Sequence, residues 1–149
     1  MADAGPAGPA ALTRYLALDH GARRIGVAVA DGEMRMAFAR PAIMVRGADA
    51  AALRVAELAR AEGASCVIIG LPLHADGSEG EQATAARAFG ARLTSLGLAV
   101  EFHDERLSSW QASTDLAASG ANGDRRSGQL DSAAARIILQ DYLDSKETR

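Results

Sequence analysis

The stretch 15-YLALDHGARRIGVAVAD-31 decides the fold, because it combines two hydrophobic segments with one sharp break. Tyr15–Asp19 and Arg24–Ala30 have the composition of buried strands, and His20–Arg23 is short enough to be a tight turn between them. The first strand ends on a carboxylate, Asp19. That residue is either part of an Asx-type turn or a ligand for a metal or phosphate at the end of a strand.

The composition predicts one globular domain with a real hydrophobic core. The chain has 149 residues, of which 48% are hydrophobic and 23% charged, with a net charge of −3. Aromatic residues make up only 4% of the chain, so stacking on exposed bases is excluded as its main way to hold a nucleic acid. Residues 1–12 predict a flexible tail without signal-peptide or membrane features, and residues 13–149 a single cytoplasmic domain. The one cysteine, Cys66, lies in an apolar run and is predicted to be a core residue.

The rest of the chain predicts an α/β fold, with three antiparallel strands followed by a βαβ arrangement and helices on both faces. Pro41 favours an edge or bulged position for the third strand. Asp49 is placed as the N-cap of the first helix, whose apolar side is predicted to carry Leu53, Ala56, Leu58 and Ala59. The predicted elements after the opening pair are strands Ala37–Val45, Ser65–Gly70 and Leu98–His103, and helices Asp49–Gly63, Glu79–Leu96, Ser108–Ser119 and Leu130–Asp144.

Four places carry residues suited to chemistry. Asp19 ends one strand and the triplet 104-DER-106 follows another, at the end of a sheet where ligands collect in α/β proteins. We expect these two strands to be neighbours that end at the same edge of the sheet. The loop 70-GLPLHADGS-78 is longer than most strand-to-helix connections and carries His74. Asp131 opens the last helix just after the basic loop 120-GANGDRRSG-128, where it could also be a simple first-turn acid.

Several carboxylates gathered at one edge repel each other unless a cation or shared protons neutralise them. A hard divalent ion with oxygen ligands resolves this repulsion, and Mg²⁺ usually binds through a few carboxylates together with water and substrate phosphate. Such a site suits phosphodiester hydrolysis. A solvated turn at 104-DER-106 and a solvated His74 are the corresponding structural alternatives.

The chain resembles the YqgF/RuvX-like family of Holliday-junction resolvase-like and pre-16S ribosomal RNA nucleases, which have a ribonuclease H-like fold. Four motifs in the same order carry the resemblance, and together they cover most of the chain from Tyr15 to Asp144. His20 departs from the Pro, Tyr or Val that is usual between the first Asp and Gly of the family. The matching segments are 16-LALDHGARRIGVAVAD-31, 68-IIGLPLHADGSEG-80, 104-DERLSS-109 and 131-DSAAARIILQDYLD-144.

The resemblance implies a ribosome-biogenesis or junction-resolving hydrolase with Mg²⁺ or Mn²⁺ as cofactor. Asp19, Glu105 and Asp131 would be the catalytic metal ligands, with Asp104 competing with Glu105 for the second position. Arg106 is a candidate for contacting substrate phosphate, because the guanidinium group matches phosphate geometry. The further candidates for contacting nucleic acid are Arg125, Arg126 and His74. Gly70, Leu71 and Pro72 would shape the loop that carries His74 toward the site.

Two other functions remain open at the level of sequence. The first is an ATP-binding phosphotransferase domain of the actin and Hsp70 kind, which shares a related sheet, and tight ATP binding would favour it. The second is a non-catalytic nucleic-acid-binding module. The predicted partner is pre-ribosomal RNA or branched DNA and not a membrane, and the chain acts as a monomer or a homodimer. The sequence does not distinguish these substrates, nor endonuclease from exonuclease action.

Overall fold

A computed structural model describes residues 13–105 and 132–147 of the protein. Within these ranges the chain has a mixed α/β fold, as expected, and no helix is long and apolar enough to cross a membrane. The strands are β1 (Arg14–His20), β2 (Arg24–Asp31), β3 (Phe38–Met44), β4 (Cys66–Leu71) and β5 (Val100–Asp104). The helices are α1 (Ala48–Glu62), α2 (Glu81–Ser95) and α3 (Ala133–Glu147).

The strands form one sheet in the order β3-β2-β1-β4-β5. β1 pairs antiparallel with β2, and β2 with β3, whereas β4 lies parallel to both β1 and β5. The carboxyl ends of β1, β4 and β5 therefore meet at one edge of the sheet, which we call the carboxyl edge. β2 begins and β3 ends at this same edge, because both pair in the antiparallel sense.

The two faces of the sheet are covered by different helices, because strand side chains alternate between faces. Leu16 and Leu18 of β1 belong to the core that also contains the buried faces of α1 and α2. Ala17 lies on the opposite face, in a second core formed with Ile138 and Leu139 of α3. Each large apolar side chain buried in this way contributes about 1.5–3 kcal/mol to stability.

Ser132 attaches the start of α3 to an irregularity in the sheet. The pairing of β2 with β3 shifts register between Ile25 and Val27, opposite the segment that contains Pro41. The Ser132 side chain is fully buried, and its Oγ accepts a hydrogen bond from the Val27 N–H at 2.9 Å. The same Oγ donates to the Arg40 carbonyl oxygen at 2.6 Å. The hydroxyl thus satisfies two backbone groups at the bulge, and β3 is the edge strand that Pro41 predicted.

Two details of α1 differ from the expectation. Asp49 is not the N-cap: Gly47 occupies that position without a side-chain cap, and Asp49 lies in the first turn. There its negative charge still interacts favourably with the positive end of the helix dipole, and its carboxylate pairs with Arg92 of α2. Leu53 was expected on the buried face, but its side chain is 54% exposed.

The predicted helix Ser108–Ser119 and the predicted tail 1–12 lie outside the described residues. Cys66 is only half-buried, and its Sγ lies 3.8 Å from Oε2 of Glu101. Burial, followed by the charge and hydrogen bond of Glu101, raises the pKa of the Cys66 thiol to about 11. A thiol with so high a pKa is protonated at neutral pH, which agrees with a structural role for Cys66.

We expect Ser132→Ala to lower the free energy of unfolding by about 1–3 kcal/mol, because the buried Val27 N–H loses its acceptor. Ser145→Ala, near the other end of α3, is the matched control. Its hydroxyl lies exposed and donates to the Tyr142 carbonyl oxygen of the same helix, so a change within about 0.5 kcal/mol is expected. Urea denaturation followed by circular dichroism measures both, and equal stabilities would show that Ser132 does not anchor α3.

Candidate active site

Asp19 lies near the end of β1, on the face of the sheet that α3 covers. It pairs with Gly26 of β2, and it alternates with Leu18, whose side chain belongs to the opposite core. The carboxyl group is partly buried, and burial raises its pKa above the ordinary value. The next side chain, His20, packs against the Phe89 ring at 4.9 Å between ring centroids, and burial lowers its pKa.

The turn after β1 is tight at Gly21. A Cβ atom at this position would lie 2.6 Å from the Arg24 carbonyl oxygen, a distance that real side chains do not tolerate. Gly21 therefore lets β2 begin directly after β1. His20, the departure from the family pattern, is accommodated without disturbing this turn, because it still belongs to β1 and its ring contacts Phe89.

Glu105 follows β5 and lies over the backbone of Gly70 in β4. A Cβ atom at Gly70 would lie 2.9 Å from both Cγ and Oε2 of Glu105, and 2.5 Å from Cδ1 of Ile138. Burial, followed by the charges of Asp19 and Asp104, raises the pKa of the Glu105 carboxyl to about 7. The two acids, far apart in sequence, therefore interact electrostatically at the carboxyl edge.

The strands that carry these acids are not neighbours, contrary to the expectation from the sequence. β4 lies between β1 and β5, so the backbones that carry Asp19 and Glu105 are about 10 Å apart, two strand spacings of 4.7–4.9 Å. Gly70 sits on the intervening strand and has no side chain to separate the carboxyl groups. The sequence interpretation gave Gly70 only a role in shaping the following loop. It missed that the absence of a side chain at Gly70 makes room for Glu105 over β4.

The loop after β4 is stabilised by its own hydrogen bonds. The His74 N–H donates to the Ser78 carbonyl oxygen at 2.9 Å, and both the N–H and the hydroxyl of Ser78 donate to Asp76. The His74 ring packs against Gly80, at the N-cap of α2, where a Cβ atom would lie 2.6 Å from Nε2. The ring is exposed at the end of the sheet where β4 finishes, and its contact with nucleic acid stays a prediction.

Four of the predicted site residues lie outside the described residues: Arg106, Arg125, Arg126 and Asp131. The described residue beside Asp131 is Ser132, whose hydroxyl is bonded to Val27. Val27 pairs in turn with Leu18, the residue before Asp19. The sequence interpretation missed Ser132, although a serine directly after a candidate acidic ligand at the start of a helix was visible.

The donor chemistry at the carboxyl edge fits a hard divalent cation. Asp19 and Glu105 offer carboxylate oxygens, the ligands that Mg²⁺ and Mn²⁺ prefer. In the described ranges, 13–105 and 132–147, no group of three acidic, histidine or cysteine side chains is arranged to hold a metal. Asp19 and Glu105 can supply part of a ligand set, and the third predicted ligand, Asp131, lies outside the described residues.

The chain is similar in sequence to a family described as "RuvX: Holliday junction resolvase", whose profile matches residues 13–145. A relative from Anaeromyxobacter dehalogenans, named "Putative pre-16S rRNA nuclease", is 43% identical over 134 residues, which are 89% of this chain and 98% of the relative. A relative of the same name from Chloroflexus aurantiacus is 40% identical over a region that spans 89% of this chain and 88% of the relative.

The fold is similar to that of RuvC from Thermus thermophilus. The RuvC structure in complex with a Holliday junction substrate superposes with a TM-score of 0.57 at 14% identity, covering 91% of this chain and 96% of RuvC. A second RuvC structure gives a TM-score of 0.54 at 12% identity, covering 91% of this chain and 97% of RuvC. At this level of identity the likeness concerns the fold, which is ribonuclease H-like as expected.

We expect Glu105→Gln to stabilise the metal-free protein at pH 8 by on the order of 2 kcal/mol and to leave it nearly unchanged at pH 4, below the unfolded pKa. The pKa of Glu105 is raised from 4.5 to about 7, so the folded protein holds this proton more tightly than the unfolded chain. Ionisation therefore costs stability as the pH rises through this interval, whereas the neutral glutamine carries no such cost.

Urea denaturation in EDTA at both pH values measures this effect. Glu79→Gln is the matched control. Hydrogen bonding to Arg87 lowers the pKa of the exposed Glu79 carboxyl, so its ionisation does not cost stability. A Glu105→Gln protein with the same pH dependence as wild type would mean that Glu105 does not share its environment with Asp19.

Proposed function

This chain belongs to the RuvX family, and on that premise we propose that it is a divalent-metal-dependent nuclease that hydrolyses phosphodiester bonds in structured nucleic acid. The family description and the names of the relatives support nuclease chemistry. One structural observation supports it most directly: Glu105 lies over Gly70 at the carboxyl edge, where the charge of Asp19 acts on its carboxyl group.

The raised pKa values of both acids describe a site that favours neutral carboxyl groups when no cation is present. Two carboxyl groups that interact electrostatically are both ionised more easily when a cation neutralises their charges. We propose that Asp19, Glu105 and Asp131 hold Mg²⁺ or Mn²⁺. When bound, such ions activate water and stabilise the leaving oxygen of a phosphodiester.

The residues of the chain itself position the substrate in this proposal. Glu105 is the second acidic ligand rather than Asp104, since Glu105 lies over Gly70 on the face that Asp19 shares. The three arginines outside the described residues, Arg106, Arg125 and Arg126, contact phosphate oxygens, and His74 contacts the nucleic acid from the loop after β4.

We propose the unprocessed end of pre-16S ribosomal RNA as the substrate, because relatives at 40% identity and above carry that name. Cleavage of branched DNA is the alternative within the same chemistry, and the fold shared with a RuvC that binds a Holliday junction favours testing it. A monomer suffices for one RNA end, whereas symmetric cleavage of a junction calls for a homodimer. We place the protein in the cytoplasm.

We expect Asp19→Asn to reduce cleavage by at least about 100-fold, since even residues that only support metal ligands cost 10–100-fold when changed. The substitution is nearly isosteric and removes the charge that a hard cation needs. Cleavage of a pre-16S RNA fragment and of a four-way DNA junction, each with Mg²⁺, Mn²⁺ or EDTA, measures the effect.

Asp31→Asn is the matched control, because Asp31 ends β2 at the opposite edge of the sheet and accepts a hydrogen bond from Met34. It should cleave as wild type does. An Asp19→Asn protein that is folded and cleaves like this control would remove Asp19 from the metal site, and activity that persists in EDTA would contradict metal dependence.

Replacing Arg125 and Arg126 together with Ala should weaken substrate binding and reduce its dependence on salt. Each lost phosphate contact lowers the logarithmic salt slope by about 0.7 for single strands or 0.9 for duplexes. Binding titrations at several salt concentrations measure this slope. A slope equal to that of wild type would mean that the two arginines are ordinary solvated side chains.

A further inference from the structure

We propose that a second surface, the groove between β3 and α1, binds the phosphate backbone of single-stranded nucleic acid that flanks the cleaved bond. This inference rests on the proposed nuclease function, and it names the part of the protein that holds the substrate away from the cleavage site. We call this surface the β3–α1 groove and define it by Arg40, Arg46 and Arg54, which line it.

The β3–α1 groove consists of two adjoining hollows of about 430 and 420 Å³. They share Ala42, Ile43 and Arg54, so they form one continuous depression along the edge strand. Five consecutive residues of β3, Arg40 to Met44, line the groove, which gives it a length of roughly 16 Å at about 3.3 Å per residue. That length accommodates several nucleotides of an extended strand.

The charge of the β3–α1 groove is suited to phosphate. Arg46 and Arg54 are exposed, and neither makes an ion pair within the described part of the chain. Arg40 is paired with Glu62 at 3.2 Å, so this pair adds no net charge to the groove, and Glu57 is the other acid in the lining. Three arginines against two glutamates leave an excess of one positive charge, in a chain whose net charge is −3.

The β3–α1 groove begins at the same edge of the sheet as the candidate active site. Met44, which lines the groove, pairs with Arg24 of β2. The next residue, Val45, donates its N–H to the Arg23 carbonyl oxygen at 2.9 Å, in the turn that follows β1. Two strand spacings, about 10 Å, separate β3 from β1, where Asp19 lies.

A strand that leaves Asp19 on the α3 face must pass over the carboxyl edge to enter the groove on the α1 face. The exposed Arg23 lies in the turn at that edge, between the two surfaces. The basic side chains therefore line a path from the cleavage site into the groove, by way of Arg23, then Arg46, then Arg54.

The shape of the groove favours a single strand over a duplex. Each hollow has the volume of a small-ligand site, and a rigid duplex would contact only its rim. The lining residues of both hollows include no aromatic side chain, so bases have no stacking platform there. We therefore expect contacts to the backbone phosphates with no preference for base sequence.

The experiment replaces Arg46 and Arg54 together with Ala in the full-length protein. The control is Arg14→Ala with Arg60→Ala, which makes the same change in net charge. Arg14 begins β1 at the opposite edge of the sheet, and Arg60 lies exposed in the last turn of α1, outside the groove lining. Binding of a fluorescent single-stranded RNA and of a duplex of equal length is titrated in EDTA over a range of salt.

We expect the groove variant to bind the single strand about tenfold more weakly at low salt, with a logarithmic salt slope reduced by about 1.4, two contacts of about 0.7 each. The control variant and the duplex titrations should change much less. Equal single-strand affinities and slopes in the groove and control variants would overturn the proposal. So would a groove variant that binds RNA normally but differs in oligomeric state, since β3 would then be an interface between copies of the chain.

The groove and the nuclease proposal fail in different ways. The EDTA titrations involve no cleavage, so they test the groove even if Asp19 proves to have no catalytic role. In cleavage assays with Mg²⁺, a substrate with a single-stranded flank should show a KM that rises more than kcat falls in the groove variant. Loss of kcat with unchanged KM would contradict a binding role for Arg46 and Arg54.

Discussion

The placement of β4 between β1 and β5 is the constraint on which the candidate site depends. Parallel pairing on both sides of β4 brings the ends of two strands that are distant in sequence to the same edge. The strand spacing would keep Asp19 and Glu105 apart, but Gly70 adds no side chain of its own between them, and Glu105 reaches over its backbone. Burial, followed by the charges of Asp19 and Asp104, raises the pKa of Glu105 to about 7.

Polar contacts attach α3 to the sheet at separate points along its length. Ser132 bonds to the bulge between β2 and β3 at one end. Toward the other end, Asp141 lies 2.6 Å from Nε2 of His103, and the Tyr142 hydroxyl donates to Glu101 at 3.0 Å. Because hydrogen bonds have directional geometry, these contacts fix the position of α3 in a way that its apolar packing alone does not.

Much of the candidate site was visible in the sequence. An acid at the end of an apolar strand indicated Asp19, and the family resemblance indicated Glu105 with Asp104 as its competitor; their roles as ligands stay predictions. The pattern could not show that the two strands are separated by β4, because sequence order does not specify which strand enters between two others. For the same reason Gly70 was interpreted as a loop residue, although its importance lies in contacts with Glu105 and Ile138.

The sequence by itself determined the mixed α/β class, the approximate extent of the described strands and helices, and the edge position of β3. These three features can be predicted because they depend on hydrophobic periodicity and on turn residues, which are local in the sequence. The tertiary structure alone decided the partners of the Ser132 hydroxyl, the capping of α1 by Gly47 rather than Asp49, and the groove between β3 and α1. Each of these features depends on a competition for space and hydrogen bonds, either between segments distant in the chain or between alternative caps of one helix. That competition is resolved only when the sheet and its helices pack together.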